Sequence, residues 1–161
     1  MEINVLVEEG IEVGIDLEWM QKIIETVLTT ENVPPNAEIS LVITGQERIQ
    51  ELNRDYRGKD QPTDVLSFSM SEQKIDEEEE EAVAFINPPD GLIHLGEVII
   101  SYPQALLQAE ESQHSIKQEM AALIVHGVLH IQGYDHEKAE MEPAMQAKEK
   151  QILSTLEKEL L

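Results

Sequence analysis

The sequence predicts an α+β fold: a single domain over residues 1–161, with a small mixed β-sheet of about four strands packed against about five α-helices. Three observations predict it. Short apolar–polar alternations are concentrated early in the chain, and helical spacing of apolar residues dominates late in it. Two connections also read as strand–helix–strand, so part of the sheet is expected to be parallel. With 161 residues, 41% of them hydrophobic, the chain is long enough to bury a core.

Ile3, Val5 and Val7 alternate as a first strand with one apolar face. Asp16 is placed to cap a helix whose apolar positions are Leu17, Met20, Ile23, Ile24, Val27 and Leu28. The stretch Asn32 to Pro35 ends it, and Ile39, Leu41 and Ile43 alternate as a second strand. Thr44-Gly45-Gln46-Glu47 reads as a capping box opening a helix through Ile49, Leu52, Asn53 and Tyr56 to about Gly58. Tyr56 continues the apolar face of that helix and is expected in the core. Arg54 and Arg57 fall in its last turn, where cations are favoured. Asp60 to Thr63 reads as a turn and Asp64 to Phe68 as a short strand, with Thr63 and Asp64 fixing the turn.

From residue 71 to residue 91 the periodicity dissolves. Five consecutive glutamates, Glu77 to Glu81, precede Asn87-Pro88-Pro89-Asp90-Gly91. Adjacent like charges repel and bury nothing, so this stretch is expected to be an exposed acidic loop. Leu95 to Ile100 resumes as an interior strand, and Tyr102-Pro103 leads into a helix to about Ser112. Ser115 and Gln118 form the next capping box, and Met120 to Ile131 continues as a core helix too short to cross a bilayer. Gly133 suits the left-handed conformation that ends a helix. Pro143 opens a last helix through Met145, Ile152, Leu153, Leu156 and Leu160.

The chemistry is concentrated in His126-Gly127-Val128-Leu129-His130-Ile131-Gln132-Gly133-Tyr134-Asp135-His136, which holds three of the five histidines. His126 and His130, four apart, share one helix face. The turn at Gly133 lets His136 swing back toward them. Three imidazoles converging with an open fourth position make a catalytic metal site of the zinc type. Nickel and other transition metals also accept imidazole. The spacing H-x-x-x-H-x-x-G-x-x-H is shared with the metzincin proteases, but those carry a glutamate base directly after the first histidine, where this chain has Gly127. His94 and His114 match no ligand spacing. Asp135 is read first as a cap for the turn before His136, and second as a partner of the ligands or a general base.

With no cysteine, disulfides and thiolate ligands are excluded. No secretory signal is visible at the start, and no stretch suits a membrane span, so the expected location is the cytoplasm. Eleven basic against thirty-three acidic residues give a net charge of −22. That argues against general nucleic-acid binding, and DNA is not expected as a partner. Arg48, Arg54, Arg57 and Lys59 are nevertheless clustered within twelve residues, a basic spot on an acidic body.

Three blocks carry a family resemblance: the histidine segment; Leu52-Asn53-x-x-Tyr56-Arg57-x-x-Asp60-x-Pro62-Thr63-Asp64-Val65-Leu66-Ser67-Phe68; and Leu95-Gly96-Glu97-Val98 before Ile99. In these the sequence resembles the YbeY family of bacterial metal-dependent endoribonucleases. It departs mildly, with Ser69 where proline is usual, Glu97 where aspartate is usual, and the Glu77–Glu81 elaboration. The resemblance implies zinc at His126, His130 and His136, with Arg57 as an essential neighbour. It implies cleavage of single-stranded RNA in ribosomal RNA maturation, at the 3′ end of the small-subunit rRNA, and in ribosome quality control. A small-subunit ribosomal protein or an assembly GTPase would bring such a chain to its substrate. Two other functions compete: a metzincin-like metalloprotease, and a non-catalytic ribosome assembly factor stabilised by its metal.

Overall fold

In the computed structural model of this chain, residues 1–70, 91–133 and 142–160 are described. They form strands β1 (Glu2–Val7), β2 (Ala37–Thr44), β3 (Val65–Ser69) and β4 (Ile93–Ser101). The helices are α1 (Leu17–Thr30), α2 (Gln46–Arg57), α3 (Tyr102–Ser112), α4 (Ile116–Ile131) and α5 (Glu142–Glu159). This is the α+β class expected, four strands and five helices among the described residues. The expected acidic loop lies outside them, apart from Gly91.

The strands form one mixed sheet in the order β1-β2-β4-β3. β1 and β2 pair in parallel across α1, as a strand–helix–strand unit should, and β2 and β4 also run parallel. The second such unit behaves differently. β4 is inserted between β2 and β3, and β3 runs antiparallel to it at the edge of the sheet.

Because strand side chains alternate faces, the sheet sorts its apolar residues into two cores. Ile39, Leu41 and Ile43 of β2 join Val98 and Ile100 of β4 on the larger face, packed against α1, α4 and α5. On the opposite face, Leu66 and Ile99 are covered by Ile49 of α2, with Val42, Leu52 and Phe68 beside them. The central element is α4. Met120, Ala121, Leu123, Ile124, Val125, Val128, Leu129 and Ile131 are all buried, so the helix is covered nearly all round.

Local signals place most helix ends. At α4, Ser115 Oγ accepts from Gln118 N at 3.1 Å while Gln118 Oε1 accepts from Ser115 N at 2.9 Å, the complete capping box. Gly58, at φ 74°, closes α2 with its N–H on Arg54 O at 3.1 Å. Two expectations are corrected. The N-cap of α2 is Gly45, not Thr44. Thr44 is instead the fully buried last residue of β2, and its hydroxyl donates to the Glu8 carboxylate. Asp16 does stand at the N-cap of α1 in extended conformation, but its side chain makes no capping bond.

Candidate functional site

His126 and His130 sit on consecutive turns of α4. With Ala122 they form the half-buried stripe of a helix otherwise buried from Met120 to Ile131, so both rings reach the boundary between core and solvent. Their centroids are 6.4 Å apart and the rings are tilted by 40°. The spacing of four that predicted a shared face places them there.

Gly127, between them, faces the sheet. A Cβ built on it would lie 2.6 Å from Val98 Cγ1 and 3.3 Å from Ser67 Oγ. Ser67 donates its hydroxyl to Gly127 O at 3.0 Å, tying edge strand β3 to α4 at that point. The place where a metzincin carries its glutamate is therefore filled by β3 and β4, and no longer side chain has room. Gly127 is a helix–sheet contact residue, and the protease reading loses the position of its base.

The His126 ring is held from the next helix. Its Nδ1 lies 2.7 Å from Glu149 Oε1 of α5, with both side chains mostly covered. The pKa of His126 is raised, first because Glu149 accepts the ring N–H, and further by the negative charges of Glu149 and Asp64; burial opposes the shift. Asp64 stands just before β3. Its Oδ1 accepts from Val65 N at 2.8 Å and from Thr63 Oγ1 at 3.4 Å, which fixes the turn as the sequence suggested. Its Oδ2 accepts from Gln108 Nε2 at 3.4 Å, and the same amide reaches Glu119 Oε2 of α4 at 3.0 Å. Asp64 thus links the arginine-bearing sequence block to the histidine helix, and its charge is felt at His126.

Arg57 ends α2 as an exposed residue. The helix that carries it covers the opposite face of the sheet from α4. Asn53, 2% exposed, donates Nδ2–H to Gln61 O at 2.9 Å and anchors the turn that follows Arg57. Tyr56 is not in the core: it is 70% exposed, its ring meeting Phe68 edge-on at 5.3 Å. Of the basic spot, Arg48 pairs with Glu51 and Arg54 with Asp55, each at 3.2 Å, so part of its charge is answered locally. His94 stands on β4 with Nδ1 2.5 Å from Glu38 Oε2, away from α4, and His114 is exposed in the turn before it.

Glu149 was not singled out from the sequence. It had one signal: it interrupts the apolar stripe Met145, Ile152, Leu156 of α5, where a carboxylate needs a partner.

His136 and Asp135 lie outside the described residues, and among the described residues no three His, Asp or Glu side chains converge as ligands. The donor chemistry still fits a zinc-type ion. Two imidazoles share one face, and a carboxylate on Nδ1 of the first leaves its Nε2 lone pair for a metal.

A family model described as Endoribonuclease YbeY matches residues 8–157. An endoribonuclease YbeY from Dehalococcoides mccartyi (strain ATCC BAA-2266 / KCTC 15142 / 195) is 49% identical over 91% of this chain and 85% of its own length. One from Geobacillus thermodenitrificans is 46% identical over 86% and 85%. One from Roseiflexus castenholzii is 40% identical over 88% and 84%. The solution structure of TM1509 from Thermotoga maritima aligns with a TM-score of 0.57 over 94% of this chain and 86% of that one. At 24% identity, that likeness speaks for the fold alone.

Proposed function

Since the chain belongs to the endoribonuclease YbeY family, we propose that it is a metal-dependent endoribonuclease that cuts single-stranded RNA, with His126, His130 and His136 as ligands of one zinc ion. The observation that carries the reading is the histidine pair of α4, half-buried on one face, with the first ring held by a carboxylate. The biological setting proposed is cytoplasmic: maturation of ribosomal RNA, at the 3′ end of the small-subunit rRNA, and ribosome quality control. Docking on a small-subunit ribosomal protein or an assembly GTPase would supply affinity that a chain of net charge −22 cannot draw from phosphate contacts.

A bound zinc ion supplies Lewis-acid polarisation of a phosphate oxygen and activation of water near neutral pH. The chain's own residues do the rest. His126, its Nδ1 beside the Glu149 carboxylate, offers the first imidazole. His130 offers the second imidazole one turn on. Arg57 carries a planar, permanently charged guanidinium suited to the non-bridging phosphate oxygens as negative charge develops. Gly127 contributes no base; it lets α4 lie close on β3 and β4, which sets where the two imidazoles emerge.

Elemental analysis beside a single-stranded RNA cleavage assay tests the reading, on wild type and Arg57→Ala. The expected result is close to one metal ion per chain in both proteins and cleavage by wild type only. Metal in both with equal cleavage would remove Arg57 from the chemistry. Metal without cleavage in either, even with ribosomal subunits present, would favour a non-catalytic assembly factor.

A further inference from the structure

Helix α5 presents Met145, Ile152 and Leu156 to the core, each no more than 1% exposed. Glu149 lies four residues after Met145 and three before Ile152, so it falls on that same stripe. A carboxylate there gives up part of its hydration and is retained only when a strong partner replaces it. Its partner is the ring N–H of His126, at 2.7 Å. The rotation of α5 is set independently. The buried stripe fixes one side, and Lys148 reaches Glu31, the C-cap residue of α1, at 3.9 Å on another. The carboxylate is therefore delivered to His126 by the packing of α5.

A tie between two helices could use any donor. This one uses one nitrogen of an imidazole, and that choice has a chemical consequence. With Nδ1–H donated to Glu149, the neutral ring carries its lone pair on Nε2. The anion also makes the ring a stronger donor toward a cation. We propose that Glu149 is a positioning residue for the metal centre, holding His126 in the Nδ1–H tautomer so that Nε2 is its ligand atom. The proposal rests on the reading of His126, His130 and His136 as metal ligands.

Zinc affinity of the full chain, measured by competition with a chromophoric chelator, separates the two ideas for wild type, Glu149→Gln and Glu149→Ala. Wild type that binds no zinc overturns the metal reading itself. If wild type binds zinc, Glu149→Ala is expected to bind it about 10–100-fold more weakly. Glu149→Gln should fall between, because the amide oxygen accepts the same N–H without the charge. Equal affinity in all three proteins overturns the role of Glu149 and leaves the metal reading standing. Long-range nitrogen–proton NMR of the zinc-free protein gives a second readout. The His126 ring should be the Nδ1–H tautomer in wild type and lose that preference in Glu149→Ala. An Nε2–H ring in wild type overturns the proposal even if the alanine variant is too unstable for titration.

Discussion

Replacing Gly127 by alanine would put a methyl carbon 2.6 Å from Val98 Cγ1 and 3.3 Å from both Ser67 Oγ and Val98 Cγ2, where ordinary contact begins at 3.4 Å. None of these neighbours can retreat cheaply. Val98 is 1% exposed and stands on β4, which is hydrogen-bonded on both sides, and its branched side chain has little rotamer freedom. Ser67 is held by its bond to Gly127 O. Overpacking of this kind costs about 1–3 kcal/mol. Against it stands the helix preference of alanine over glycine, about 1 kcal/mol. The net expectation is a loss of up to about 2 kcal/mol, read by urea unfolding of chelator-treated protein, with a melting point lower by up to about 8 °C. The partner test is a cycle with Val98→Ala, which removes the atom in the way. In that background the glycine replacement should cost less, with a coupling of about 0.5–3 kcal/mol. A Gly127→Ala protein more stable than wild type, or strictly additive effects in the cycle, would refute the account of Gly127 as a helix–sheet contact.

Two further outcomes are expected. Asn53→Ala removes the bond to Gln61 O from a residue 2% exposed, and should cost about 1–2 kcal/mol in denaturant unfolding. It should also weaken RNA cleavage through the turn that follows Arg57; unchanged stability would show the bond to be dispensable. In chelator-stripped protein, the raised pKa of His126 gives a stability contribution fully present below the ordinary histidine value of about 6.5 and lost as pH rises through the higher folded value. Wild type should therefore lose stability relative to His126→Gln on going from mildly acidic to alkaline solution, and a difference flat with pH would contradict the bond to Glu149 as its cause.

Much of the fold was legible because the signals are local. Alternation in Ile39, Leu41 and Ile43 depends only on strand geometry, the Ser115–Gln118 box on the first turn of α4, and Gly58 on the backbone shape that ends α2. The spacing of His126 and His130 is likewise a property of one helix. Where local rules failed, a distant element had decided. Thr44 has a capping residue's composition, yet β2 continues through it and Glu8 takes its hydroxyl. Tyr56 continues an apolar pattern, yet the small core under α2 does not extend far enough to cover it.

By itself, then, the sequence determined the elements, the capping box that opens α4, the glycine that closes α2 and which two imidazoles share a face, since each depends on contacts within a few residues. Only the tertiary structure decided the rest: the place of β4 between β2 and β3, the lack of room at Gly127, and the carboxylate aimed at His126. Those depend on how Val98, Ser67 and Glu149, far from the histidine segment in the chain, are brought against it. The physical reason is that burial and close packing act on surfaces assembled from many elements at once, and no short window of sequence contains both sides of such a contact.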